Sequence, residues 1–211
     1  MKSKMSEGVL IAVSGFSGAG KGTIMKRLLD KYPGYALSVS ATTRDPRDGE
    51  REGIEYFFKT EDEFKTMIQN GELLEYAGYV GHYYGTPKKY VEEMQTNGKN
   101  VLLEIEVQGA LKVKKANPDT VMIFVVAPSV KEIENRLNSR GTESKEKIAE
   151  RMEQIKREIK SISEYDYLIV NEDIEKSVDL ISNIVEAERT KVKNKKYFIN
   201  KLSEEINGGI K

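Results

Sequence analysis

The sequence predicts an α/β fold in which three layers, αβα, enclose a parallel sheet. Three observations carry that prediction. Short apolar runs rich in β-branched residues recur along the chain, helical patterns lie between most of them, and one run passes through a glycine-rich turn into a helix. Alternation of this kind is the signature of a parallel sheet covered by helices on both faces. At 211 residues the chain suits one folding unit with a well-buried core, divided into sub-regions.

The first run, Val9-Leu10-Ile11-Ala12-Val13, ends at Ser14-Gly15 and predicts a central strand buried on both faces. Further strands are expected at Val101 to Ile105, Val121 to Val126 and Tyr167 to Val170. After Thr142, the residues Ile148, Met152, Ile155, Ile159 and Ile162 recur at steps of three and four, which predicts one long amphipathic helix. A second helix begins near Ile174, with Val178, Ile181 and Val185 as its buried stripe. The stretch from about Ser38 to Gly98 differs, with strand-like Tyr56-Phe57-Phe58, a small helix carrying Phe64, Met67 and Ile68, and many polar and aromatic residues. It is expected to be an inserted substrate-binding subdomain. The ending Asn207-Gly208-Gly209 is expected to fray.

Composition narrows the chemistry. Thirty-four basic residues balance thirty-four acidic ones, so neither nucleic acid nor an anionic membrane is an expected partner. No segment approaches the roughly 20 apolar residues that span a bilayer, and Met1 to Gly8 lack a signal-peptide core, so a cytoplasmic protein is expected. Without cysteine there is no disulfide framework and no thiolate ligand or nucleophile. The single histidine, His82, lies in a turn between Gly81 and Tyr83 and is expected to be solvated rather than catalytic.

Directly after the first strand comes Gly15-Phe16-Ser17-Gly18-Ala19-Gly20-Lys21-Gly22-Thr23, leading into a helical pattern through Ile24, Met25, Leu28 and Leu29. Phosphate binding needs backbone N–H groups turned into one concavity, and glycines allow both the dihedrals and the close approach. The helix N-terminus adds positive potential, and Lys21 can reach the β- and γ-phosphates. Residues 15–23 therefore predict a P-loop site for a nucleoside triphosphate. The usual pattern places Ser or Thr directly after the lysine as a magnesium ligand, whereas here Gly22 stands there and Thr23 follows. Gly22-Thr23 resembles the nucleoside monophosphate kinases, adenylate kinases included, so the loop alone leaves the acceptor open.

A second anion site is expected in Ser38 to Glu50, where Arg44 and Arg47 flank Pro46 ahead of Gly49. Each guanidinium offers paired donors matched to phosphate oxygens, and Tyr56 can add a hydroxyl.

These segments, S-V-S-A-T-T-R-D-P-R-D-G-E, G-I-E-Y-F-F, G-E-L-L-E-Y, Y-Y-G-T and E-I-E-V-Q-G, closely resemble the guanylate kinase family from about Val9 to Asp173. The resemblance implies a P-loop kinase that moves the γ-phosphoryl of magnesium-bound ATP to GMP, giving ADP and GDP, in purine nucleotide metabolism and GMP recycling. It implies one domain over residues 1–211, with core segments at about 8–37, 98–137 and 160–205, a GMP-binding region at about 38–97 and a lid at about 138–159. Arg44, Arg47, Tyr56 and Tyr84 would hold the GMP phosphate, while Ser40, Glu75 and Thr86 would read guanine. Guanine presents N1–H and N2–H donors, which a carboxylate at Glu75 can accept; adenine offers an acceptor at N1 instead.

Glu104 and Thr23 would organise magnesium, in part through water, and Glu104 and Glu106 would also belong to the GMP site, Glu106 standing where the family more often has Asp. Arg136, Arg140 and Arg151, on either side of Gly141-Thr142, would close over ATP, with Lys21, Arg44, Arg140 and Arg151 neutralising the transferring phosphoryl; Asn171 would lie near adenine. ATP and GMP, with dGMP beside GMP, are the expected partners, and the oligomeric state is left between monomer and homodimer. Adenylate kinase is the nearest rival, opposed by the Ser40 to Arg47 segment and Glu75. A non-catalytic module that binds peptides is opposed by the retained Lys21.

Overall fold

A computed structural model describes residues 8–79, 81–139 and 145–208. The chain runs β1 (Leu10–Gly15), α1 (Lys21–Lys31), β2 (Tyr35–Leu37), β3 (Ser40–Thr42), β4 (Tyr56–Phe58), α2 (Glu61–Gln69), β5 (Leu73–Tyr79), β6 (His82–Pro87) and α3 (Lys88–Thr96). It continues through β7 (Asn100–Glu104), α4 (Val107–Ala116), β8 (Val121–Val126), α5 (Val130–Ser139), α6 (Lys145–Glu158), β9 (Tyr167–Val170), α7 (Ile174–Thr190) and α8 (Lys196–Asn207).

Five strands form a parallel sheet in the order β2-β7-β1-β8-β9, which puts the first apolar run at its centre. Successive side chains of a strand point to opposite faces. Ile11 and Val13 of β1 join a cluster with Ile24, Met25 and Leu28 of α1 and with Val178, Ile181 and Val185 of α7. Leu10 packs instead with Val91 of α3 and Val113 of α4, and Ala12 packs with Ala110 of α4. Helices therefore cover both faces, as the uninterrupted apolar character of the strand requires. Each fully buried aliphatic side chain contributes roughly 1.5–3 kcal/mol, so the central strand is the mechanical base from which the phosphate loop projects.

A second sheet, β4-β3-β6-β5, is built from residues 40–87. Its β3–β6 and β5–β6 pairs are antiparallel, and β3–β4 is parallel. Helix α2 starts at a capping box in which Thr60 and Glu63 satisfy each other's backbone N–H groups.

The structure departs from the sequence reading in two places. The stripe after Thr142 is not one helix: α6 ends at Glu158 and a 3₁₀ segment spans Ile159–Glu164. Ile155 is buried and Met152 and Ile162 pack against the core, but Ile159 is 55% exposed. Tightening from 3.6 to 3.0 residues per turn rotates a side chain off an α-helical stripe. The side chain of Ile148 lies outside the described part. At the other end, Asn207 closes helix α8 rather than fraying, and Gly208 supplies the C-cap.

Candidate functional site

The phosphate loop joins β1 to α1. Gly15 and Gly20 have φ of +153° and +90°. A Cβ at Gly15 would lie 2.1 Å from the Val125 carbonyl oxygen, and one at Gly20 would lie 2.5 Å from the Asn171 Nδ2. Both positions exclude a side chain by space as well as by conformation. Phe16 is buried with its ring edge-on to Phe124 at 5.1 Å, and Ala19 is fully buried. These side chains anchor the loop, which leaves backbone N–H groups as its contribution to a ligand. The Ala19 carbonyl accepts from Asn171 Nδ2 at 2.7 Å and from Arg136 Nη1 at 3.4 Å, and Asn171 Oδ1 accepts from Ser177 at 3.1 Å. Lys21 opens α1 and donates from Nζ to the Gly15 carbonyl at 2.6 Å.

Thr23 is exposed in the first turn of α1, one residue after Gly22. A Cβ at Gly22 would lie 3.9 Å from Glu104 Oε1, so the carboxylate that ends β7 stands beside the same turn. Mg²⁺ retains several waters and takes one or two protein ligands beside substrate phosphates. Among the described residues no group of three or more His, Cys, Asp or Glu could hold a metal alone. One hydroxyl and one exposed carboxylate next to a phosphate loop fit the sparse donor set that Mg²⁺ uses with nucleotides.

The small sheet holds a second constellation. The Arg44 guanidinium lies 5.3 Å from the centre of the Tyr56 ring, and the Tyr56 and Tyr84 rings are 6.0 Å apart. Arg44 Nη2 donates to both oxygens of Glu50 at 2.8 and 2.9 Å. Hydrogen bonding to Glu50, chiefly, and to Tyr84 raises the pKa of Arg44 despite the opposing effect of desolvation. Arg47 is exposed, and its backbone N–H donates to Glu50 Oε2 at 2.8 Å. Ser40 is the register partner of Tyr56.

Glu75 is 8% exposed and accepts from the Thr86 hydroxyl at 2.8 Å. Burial raises its pKa, opposed by that bond and by the Lys112 charge. A Cβ at Gly109 would come within 3.1 Å of Glu75 Oε2, so the absence of a side chain there lets the carboxylate reach the first turn of α4. The helix N-cap is Glu106. Glu75 and Thr86 thus meet the core where β7 passes into α4, the carboxyl edge at which open α/β sheets hold their ligands.

Helices α5 and α6 bring arginines to the loop. Arg136 is oriented by Glu132 at 2.7 Å, and its Nη2 donates to the Asn171 carbonyl at 3.2 Å. Arg151 Nη1 donates to the Ser17 hydroxyl. Arg140, Gly141 and Thr142 lie outside the described residues.

The guanylate kinase family model matches residues 7–188 of the chain. The chain belongs to the guanylate kinase family. It is 49% identical over 194 residues to a guanylate kinase of Desulfitobacterium hafniense (strain Y51), covering 92% of this chain and 97% of the relative. Against a guanylate kinase of Lactococcus lactis subsp. lactis (strain IL1403) identity is 50% over 185 residues, with 88% and 90% covered. A crystal structure of guanylate kinase from Anaplasma phagocytophilum superposes with a TM-score of 0.69 at 37% identity, covering 89% of each chain. The fold is accordingly that of P-loop kinases.

Within this chain the structure joins Arg44, Tyr56 and Tyr84 in one cluster, Glu75 and Thr86 in another, and Lys21, Ser17, Arg136, Arg151 and Asn171 around the loop. Glu104 and Glu106, two apart, would share a face in a continuing strand. The strand stops at Glu104, and Glu106 turns into α4. Four residues were missed from sequence. Glu50 ends the arginine-bearing segment and signalled itself only as an acid across a Pro-Gly turn. Glu132 and Ser177 orient Arg136 and Asn171 from helix positions that read as surface. Glu158 closes α6, and its pKa is raised by burial and by the Glu106 charge, with the Gln154 hydrogen bond and the Lys21 charge opposing.

Proposed function

We propose that the residues above carry the ATP:GMP phosphotransfer of the guanylate kinase family in the following roles. The phosphate loop, Gly15 to Thr23, and the α1 N-terminus cradle the ATP phosphates. Lys21 exchanges the Gly15 carbonyl for the β- and γ-phosphate oxygens. Arg44, Arg47, Tyr56 and Tyr84 hold the GMP phosphate, and Ser40, Glu75 and Thr86 read guanine. A GMP phosphate oxygen, already anionic near neutral pH, attacks the γ-phosphorus; that P–O bond forms as the bond to the β–γ bridging oxygen breaks, and ADP leaves. No covalent enzyme intermediate and no general base is required, because alignment and charge neutralisation supply the rate. Bound at Thr23 and Glu104, Mg²⁺ would offset charge on the β- and γ-phosphates.

Arg140 and Arg151 close over ATP from the lid, about residues 138–159, beside Arg136 at its base, while residues of about 38–97 move as the GMP-binding region against the core. Closure excludes water and so suppresses hydrolysis of ATP. dGMP fits the same roles, since none of them uses the 2′-hydroxyl. A cytoplasmic setting is part of the proposal, and no described helix is long and apolar enough to cross a membrane.

The observation that carries the reading is the pairing of two polar constellations in one chain: Lys21 on its loop and Arg44 against Tyr56 and Tyr84, with the buried Glu75 in the same small sheet as the second. A coupled ADP-release assay with ATP and Mg²⁺, run with GMP, AMP, UMP or no acceptor, tests it. GMP-dependent turnover well above the rest is expected. Preference for AMP would overturn the role of Glu75, and silence with every acceptor would favour a binding module.

A further inference from the structure

The geometry points to Glu50 as a positioning residue for GMP: it holds the Arg44–Arg47 turn in the shape that receives a phosphate before any phosphate arrives. The inference rests on the assignment of Arg44 and Arg47 to the GMP phosphate.

Three contacts converge on one carboxylate. Arg44 Nη2 is shared between both Glu50 oxygens at 2.8 and 2.9 Å, and the Arg47 backbone N–H donates to Oε2 at 2.8 Å. Arg44 Nη1 is held separately by the Asp45 carbonyl at 2.7 Å, and the guanidinium lies over the Tyr56 ring. The Arg44 and Glu50 side chains are 13% and 18% exposed, so the pair is far less screened than an ion pair on open surface. The Glu50 N–H donates to the Arg47 carbonyl at 3.0 Å, which closes the turn on itself.

An unrestrained arginine must give up rotamer freedom on binding, and prior fixation removes that loss from the binding step. Because Glu50 takes only Nη2 and the Asp45 carbonyl takes one Nη1–H, the Nε–H and the second Nη1–H are left to be shared between Tyr84 and ligand oxygens. A second carboxylate near a phosphate also repels it, so the arrangement is useful only if orientation outweighs that repulsion. Removal of the charge decides between the two.

The test is steady-state kinetics of Glu50→Gln and Glu50→Asp beside Arg44→Lys, with thermal midpoints of each. For Glu50→Gln, KM for GMP is expected to rise about tenfold, the loss of one charge-assisted hydrogen bond. Its KM for ATP should stay within about twofold, and Glu50→Asp should recover part of the loss. A role confined to folding would instead lower the midpoint and disturb both substrates. In the Arg44→Lys background Glu50→Gln should add little, because the partner it orients is gone. An unchanged or lowered KM for GMP in Glu50→Gln, with Arg44→Lys still impaired, would overturn the positioning role alone. Normal GMP kinetics in both variants would overturn the phosphate clamp beneath it.

Discussion

Burial raises the pKa of Glu75, and the Thr86 hydroxyl bond and the Lys112 charge offset that rise only in part. The folded state therefore binds a proton at higher pH than the unfolded chain does. The contribution of Glu75 to stability is most favourable below the ordinary carboxylate range and is lost as pH rises through the raised folded value. Glu75→Gln should raise thermal stability at neutral pH by ~1 kcal/mol, or about 2–4 °C, read by calorimetry. It should also cut kcat/KM for GMP by about 10²-fold, because guanine loses an anionic acceptor for its two N–H donors. In the unmodified enzyme KM for GMP should climb as the medium is acidified, beginning above the usual carboxylate range; in the Gln variant that climb should disappear.

At the scale of elements, β1, the phosphate loop and α1 were legible because their signals are local: an apolar strand, glycines at forced dihedrals and a periodic stripe. Strands β7, β8 and β9 were legible for the same reason. Of the small sheet only β4 was, at Tyr56–Phe58, since β5 and β6 take their place by pairing with each other and with β3 rather than by apolar pattern. Among site residues, Lys21, Arg44 and Glu75 came from motifs, whereas Glu50, Glu132 and Ser177 act through a specific side-chain partner and Glu158 through burial and distant charges, which no motif marks. Asn171 shows the consequence: its side chain bridges the loop at Ala19 and helix α7 at Ser177. Asn171→Ala should remove ~1–2 kcal/mol of stability by leaving a buried carbonyl short of a partner. It should also raise KM for ATP while leaving KM for GMP within about twofold, since the loop and the small sheet are separate elements.

For the molecule as a whole, the parallel sheet fixes where its loops emerge, and the two proposed substrate sites draw on different elements, the phosphate loop after β1 and the small sheet. The carboxylate of Glu104 stands beside α1, and Glu75 reaches the start of α4. Two sites with separate supports should bind independently even where they must cooperate in chemistry. Each substrate at about 100 times its Kd should add ~2.7 kcal/mol of stability, with GMP alone giving its full share. The direct measurement is Lys21→Met, assayed for turnover and titrated calorimetrically with GMP. Turnover should fall at least about 10³-fold while the Kd for GMP stays within about twofold of the unmodified enzyme; persistent turnover, or loss of GMP binding alongside it, would contradict the assignment of Lys21 to ATP and of Arg44 to GMP.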